Sequence, residues 1–209
     1  RISSILESIG RDQPDEVSSP RFDFLLLGRK LENQIDAPIR KYFVDEIAKP
    51  LGMVNTLTEP FIPSWRPSTA AGPYSDYLGR MAWGESHHPS VLAMEEHAAH
   101  GGLFSTADDL ALYARLMIQS YHIGGNDLFS TETLQMSTIP YYQSDNGEGY
   151  GMGWQTGVYG KKSFGWTTHS GRALWIDPET STFCIILSNP EHPDGVNKSD
   201  MEVINGDIR

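Results

Sequence analysis

Three observations predict an α+β fold. Apolar residues recur at helical spacing in the segments before about residue 137. The last third breaks into short apolar runs separated by turn residues, the mark of an antiparallel meander. No internal repeat is visible, so helices come first and strands last. The length of 209 residues fits a single domain. Its 1–140 portion is mainly helix and loop, and 150–209 holds sheet strands and a C-terminal segment.

Residues 1–10 (RISSILESIG) read as a short amphipathic helix ended by Gly10, and 11–21 as a polar loop. From about Phe22 to Lys49, Leu25, Leu26, Leu31, Ile35, Ile39, Phe43 and Ile47 recur at threes and fours. Pro38 splits that run into two helices, with Asp36 capping the second and Pro38 in its first turn. Pro50-Leu51-Gly52-Met53 ends the second helix. Residues 54–90 are proline-rich and read as a long irregular segment. Its Trp65, Tyr74, Tyr77 and Trp83 suit a packed lid or wall. A helix over about Ala107–Ser120 has Thr106 as N-cap and Asp108 and Asp109 in its first turn. A short helix covers about Ser130–Met136, where Thr131 fits the cap better than Ser130. Residues 140–150 are a loop. Strands follow at Tyr150–Tyr159, Ser163–Thr168, Arg172–Ile176 and Thr182–Ser188. The run from Phe183 to Leu187 is apolar on both faces, which predicts a central strand covered by helices.

Composition narrows the function classes. Sixteen Lys and Arg against 27 Asp and Glu give a formal charge of −11. Such a chain repels phosphate backbones and is a poor nucleic-acid binder. No run of 18 apolar residues exists, so none is expected to span a membrane. Cys184 is the one cysteine, which excludes an internal disulfide and a Cys-rich zinc site. A chain that starts at Arg1 without an apolar leader reads as processed, truncated or incompletely represented.

Four stretches, in order, carry a family resemblance. They are Phe24-Leu25-Leu26-Leu27-Gly28; Pro50-Leu51-Gly52-Met53-Val54-Asn55-Thr56; His100 to Leu110 (HGGLFSTADDL); and Leu174-Trp175-Ile176-Asp177-Pro178-Glu179 with Ser188-Asn189. Together they resemble the serine β-lactamase and penicillin-binding-protein superfamily, in its esterase-like branch. The resemblance implies a β-lactamase/transpeptidase-like fold of which this chain is the C-terminal portion. The N-terminal part of the fold is then absent. The family's chemistry needs a Ser-x-x-Lys nucleophile and base, a Tyr-x-Asn relay, and a Lys/His-Thr/Ser-Gly on an edge strand beside the oxyanion hole.

None of the three is intact. No Ser-x-x-Lys exists in the chain; Ser8-x-x-Arg11 and Ser18-x-x-Arg21 are the nearest forms. Arginine stays protonated and cannot act as the base. The family's serine would precede Arg1. Without gaps, the second motif falls on Ser19-Pro20-Arg21, with vestigial positions Ser19 and Arg21. The third falls on Trp166-Thr167-Thr168. A gapped register would instead use His169-Ser170-Gly171. The ungapped register is preferred, because Ser170-Gly171 then serves as a hairpin turn.

Other features have plainer readings. His87, His88, Glu95, Glu96, His97 and His100 have metal-like spacing, but a polar loop explains them and no metal or other cofactor is expected. Tyr150-Gly151-Met152-Gly153-Trp154 lacks the lysine and helix of a phosphate loop and reads as a twisted strand with close backbone approach. The resemblance places Trp154 and Trp166 near a ligand cleft. Ser105 is a helix-entry residue with no base beside it in sequence. The expected function is a catalytically degenerate domain with a structural or scaffolding role, in a larger complex. Its fold would be completed by a protein partner or by a missing N-terminal segment, because open strand edges and apolar faces are costly. The alternative is the C-terminal part of an active serine hydrolase, of esterase, peptidase or β-lactamase type, with its Ser-x-x-Lys upstream. The compartment is not fixed; the resemblance implies an exported bacterial or a mitochondrial setting.

Overall fold

A computed structural model describes residues 21–58, 66–94, 97–123, 128, 130–144, 148–168 and 170–193. The helix expected over 1–10, the loop before residue 21, and Ser19, Trp65, Glu95, Glu96 and His169 lie outside the described residues.

Helix α1 spans Arg21–Ile35. It ends where Asp36 turns left-handed at φ 53°, its N–H still donating to the Glu32 carbonyl at 2.9 Å. Asp36 therefore closes α1 and does not cap the next helix. Pro38 disfavours helical backbone at Ala37, so α2 (Ile39–Phe43) starts two residues later than a cap at Asp36 implies, with Pro38 as its N-cap. The Ile39 N–H donates to Glu32 Oε1, 2.9 Å away. That capping partner lies seven residues back, beyond the reach of a local capping rule. α2 continues through a π-helical turn (Val44–Ala48) and a last turn (Lys49–Leu51), which Gly52 ends at φ 72°. On its exposed side Asp45 takes Lys41 and, at 2.6 Å, Lys49. Their hydrogen bonds hold the Asp45 carboxyl down at about 2.

The 54–90 segment is more regular than its prolines suggested. A hairpin pairs β1 (Ala71–Ser75) with β2 (Arg80–Trp83), and α3 (Pro89–Met94) follows. The outer edge of β1 is bonded by the C-terminal segment. Asn189 Nδ2 donates to the Ala71 carbonyl at 2.8 Å, and the Tyr74 N–H donates to the Pro193 carbonyl at 3.1 Å. Pro73 can sit in this strand because the hairpin does not need its missing N–H.

Helix α4 (Ala107–His122) is capped by Thr106, whose side chain accepts from the Asp109 N–H. α5 (Thr131–Ser137) is capped by Ser130, not Thr131: Ser130 Oγ accepts from the Thr133 N–H at 3.0 Å. Thr131 Oγ1 instead donates to the Ser120 carbonyl at 2.6 Å, tying α5 to α4.

The sheet runs in sequence order. Its strands are β3 (Tyr142–Gln143), β4 (Gly149–Tyr150), β5 (Gln155–Thr156), β6 (Phe164–Thr167), β7 (Ala173–Asp177) and β8 (Thr182–Ile186), all antiparallel. The stretch expected to be a loop before Tyr150 thus supplies two short strands. Paired residues share a face, so Phe164, Ile176 and Phe183 face together against α4 and α5. There they meet Ala114, Met117 and Leu134. Tyr113 packs against this core, and burial pushes its phenol up to about 12.

β8 departs from expectation. It is the last strand in the sheet order, not a central one, among the described residues. α4 packs on one face of it, while Cys184 on the other face is exposed. Its apolar sequence has one paired edge and one covered face.

α1 meets the 97–102 strip at very close range. A Cβ on Gly28 would lie 2.4 Å from Ala99 Cβ. Helix propensity alone would make Gly28→Ala stabilising by ~1 kcal/mol. The expected result is a loss of ~2 kcal/mol from overpacking, with most of it recovered in the Gly28→Ala/Ala99→Gly double variant. Urea unfolding of the four proteins checks this.

Candidate functional site

Two of the sequence motifs meet in one buried knot. Asp109, 3% exposed, accepts the Asn55 N–H and the Thr56 hydroxyl, both at 2.8 Å. Thr56 Oγ1 is also 2.8 Å from Ser105 Oγ. Leu57 and Phe104 exchange backbone hydrogen bonds at 2.9 and 2.8 Å beside it. The Pro-Leu-Gly-Met-x-x-Thr stretch is thereby bonded to the Ser-Thr-Ala-x-Asp stretch. Ser105 is held as a structural hydroxyl, and the chemistry of this knot is hydrogen bonding alone.

One open cleft borders that knot, and a second shares part of its wall. The smaller, about 620 Å³, lies between the segments around the β1–β2 hairpin, the 102–107 stretch and Leu187-Ser188-Asn189. The larger, about 840 Å³, lies between α1, α2, α3, the 98–103 strip and the end of β6. They share His88, Gly102, Leu103 and Arg172.

The residues singled out in sequence divide between these places. Trp166 and Thr167, on β6, and Thr168 line the larger cleft. Arg21 begins α1, and Phe24, one turn on, lines the same cleft. Ser170 also reaches it but is buried, and Gly171 turns at φ 75° between β6 and β7. The Gly171 N–H donates to the Thr168 carbonyl at 3.0 Å, closing the hairpin. Trp154 lines neither cleft. Its ring meets Phe164 edge-on at 5.2 Å in the helix-facing core. Gly151 serves close approach: a Cβ there would fall 2.4 Å from the Ser137 carbonyl oxygen.

A polar network fixes the end of β6. Trp175 Nε1 donates to Thr167 Oγ1 at 2.8 Å. The Arg172 N–H donates to Thr168 Oγ1 at 3.1 Å, and its Nη1 donates to Ser170 Oγ at 2.6 Å. Arg172 Nη2 also reaches Glu191 at 3.3 Å. Glu191 is buried and faces His87 Nε2 at 3.7 Å. Tyr150 stands edge-on to Trp166 at 6.4 Å, and partial burial raises its phenol pKa. Sequence reasoning missed Arg172 and Glu191 and read His87 only as part of a polar loop. Arg172 and Glu191 lie 19 residues apart, and no local pattern announces such a pair.

The strip between the clefts is clamped from below. Buried Arg40 donates from Nη2 to the Gly101 carbonyl at 3.3 Å. Gly102 has φ 89°, and a Cβ there would lie 2.0 Å from Arg40 Nη2. His97 Nδ1 is 2.7 Å from Glu32 Oε1, and His100 Nε2 is 2.9 Å from Ser90 Oγ. His87 and His88 stack at 4.2 Å. The histidines thus have separate partners, and among the described residues no three His, Cys, Asp or Glu converge as metal ligands. No helix among them is long and apolar enough to cross a membrane.

The sequence profile of the family Beta-lactamase matches residues 13–205. The chain belongs to the Beta-lactamase family. Among curated relatives, one from Escherichia coli K12 and one from Salmonella typhi are 26% and 25% identical over 194 residues. Both carry the name "Putative D-alanyl-D-alanine carboxypeptidase". Each alignment covers 81% of this chain and 44% of the relative, so the chain spans about half the length of the curated relatives it matches. Among solved structures, the octameric penicillin-binding protein homologue from Pyrococcus abyssi aligns with TM-score 0.58 and 23% identity, over 88% of this chain and 40% of that one. Simvastatin synthase from Aspergillus terreus (the LovD6 mutant) aligns with TM-score 0.62 and 12% identity, over 86% and 52%. These likenesses show the β-lactamase/transpeptidase-like fold. Within it, the family's recurring sequence stretches map here onto the Asp109 knot, the Gly28 contact and the β6–β7–β8 hairpins.

Proposed function

We propose that this Beta-lactamase family chain is a catalytically degenerate domain, kept for a structural or scaffolding role in a larger complex. The observation that carries the reading is at the end of β6. Trp166, Thr167 and Thr168 line the larger cleft, and in the ungapped register they stand where the family's chemistry needs a basic or imidazole side chain, a hydroxyl and a glycine. An indole can neither hold a positive charge nor move a proton, and a β-branched side chain fills space that the glycine leaves open. Among the described residues β8 pairs on one edge only, which suits a covering partner or segment.

The 44% coverage of the relatives favours a second reading. In it the chain is the C-terminal part of an active serine hydrolase acting on esters, peptides or β-lactams. Its Ser-x-x-Lys lies upstream, and His169 acts in the third motif.

Intact mass of the protein from its native source, with its co-purifying chains identified, separates the two. A protein without Ser-x-x-Lys, isolated with a stoichiometric partner, is the expected result. A much larger mass containing Ser-x-x-Lys, with hydrolysis abolished by His169→Ala, overturns it.

A further inference from the structure

On the wall of the larger cleft, a serine outside the stretches that resemble the family's motifs is already paired with the histidine that opens one of them. Ser90 Oγ lies 2.9 Å from His100 Nε2. Both side chains line the cleft. They come from different elements, Ser90 from the start of α3 and His100 from the turn before Gly101-Gly102. His100 Nδ1 is buried, so packing holds the ring, while Ser90 is exposed at the cleft surface. Nucleophile and base within hydrogen-bond reach are the minimum of an acyl-transfer centre.

We propose that Ser90 and His100 form an esterase dyad for short acyl esters, separate from Ser-x-x-Lys chemistry. With its ring proton on Nδ1, His100 accepts the Ser90 proton at Nε2 as Oγ attacks the ester carbonyl. A C–O bond forms, and the π electron pair moves to the carbonyl oxygen. Collapse of the tetrahedral intermediate breaks the bond to the leaving alcohol, which takes the proton from Nε2. Water, deprotonated by Nε2, then attacks acyl-Ser90; the acid leaves and Ser90 regains its proton. One ester and one water give one acid and one alcohol. Val91, Ala98, Ala99 and Phe24 supply apolar wall for the acyl chain, and the cleft has the volume of a small-molecule site. Arg40 brings a fixed positive charge to the same wall. The proposal does not rest on the preceding reading, because neither an upstream serine nor the 166–168 stretch takes part.

The test is hydrolysis of p-nitrophenyl butyrate by the native protein and its Ser90→Ala and His100→Gln variants, with fluorophosphonate adducts mapped by peptide mass. The expected result is an adduct on Ser90 and a loss of kcat of at least roughly a hundredfold in each variant, the low end for a general base. KM should stay near its original value. Ser90 is exposed, so Ser90→Ala should melt as the parent does. An adduct confined to another serine, no adduct, or a Ser90→Ala rate within about twofold of the parent overturns the dyad. Penicillin acylation elsewhere in the protein bears on the preceding reading and leaves this one standing.

Discussion

Gly165→Ala is expected to cost about 3 kcal/mol or more, the upper range for overpacking. A Cβ on Gly165 would lie 2.2 Å from the Leu174 carbonyl oxygen and 2.7 Å from Trp175 Cα. Both are backbone atoms of β7, which pairs with β6 at this point, so relief requires prising the two strands apart. The same Cβ would meet the Trp175 ring at 2.7 Å. That indole is 4% exposed, bonded to Thr167 and edge-on to Tyr159 at 5.0 Å. Gly165 is therefore the slot that admits Trp175. Moving Trp175 would also disturb Thr167 at the cleft. Urea unfolding gives the size of the loss. A loss under about 1 kcal/mol, within the range of an ordinary substitution, would mean that the strands are not held this close.

Asp109→Ala has the next largest expected effect, a loss of about 3 kcal/mol. The carboxylate accepts two buried donors, the Asn55 N–H and the Thr56 hydroxyl. Hydrogen bonds to a charged group contribute ~1.5–3 kcal/mol each, and the donors left behind are desolvated. Both donors share Oδ2, so Asp109→Asn can keep its amide oxygen toward them and loses only the charge, and about 1 kcal/mol is expected. Thr56→Ala alone should cost ~1 kcal/mol. The Thr56→Ala/Asp109→Ala pair should fall short of additivity by at least about 0.5 kcal/mol, as residues in one network do. Additive losses measured by urea unfolding would show that the two motifs are not energetically joined. Ser105 takes part in the same knot, which is why its place in a recurring motif is structural.

Much of the fold was legible because it follows local rules. The Thr106 cap, the helix over the first part of 107–122 and the order of the last strands come from spacing, capping and turn residues within a few positions. The errors have a common cause in partners distant in sequence. Asp36 looked like a cap until Glu32, across the Pro38 break, took the Ile39 N–H. The β1–β2 hairpin was hidden by Pro73, tolerated because the pairing skips it, and its outer edge is bonded by residues 189–193. β8 read as central from its apolar sequence alone, but among the described residues it pairs on one edge and is covered on one face, so Cys184 on the other face is exposed. In the candidate site, the sequence pointed to the 166–168 stretch on the larger cleft but also to Trp154, which packs in the core. Arg172 with Glu191, Arg40 under Gly101 and Ser90 with His100 become visible only when the elements are packed.

The account's central claim is that the family's framework and cleft persist in this protein without the family's nucleophilic chemistry. Incubating the protein from its native source with a penicillin, followed by intact mass and peptide mapping, tests it most directly. The account predicts an unchanged mass. A stoichiometric penicilloyl adduct on a serine followed three residues later by lysine would contradict it.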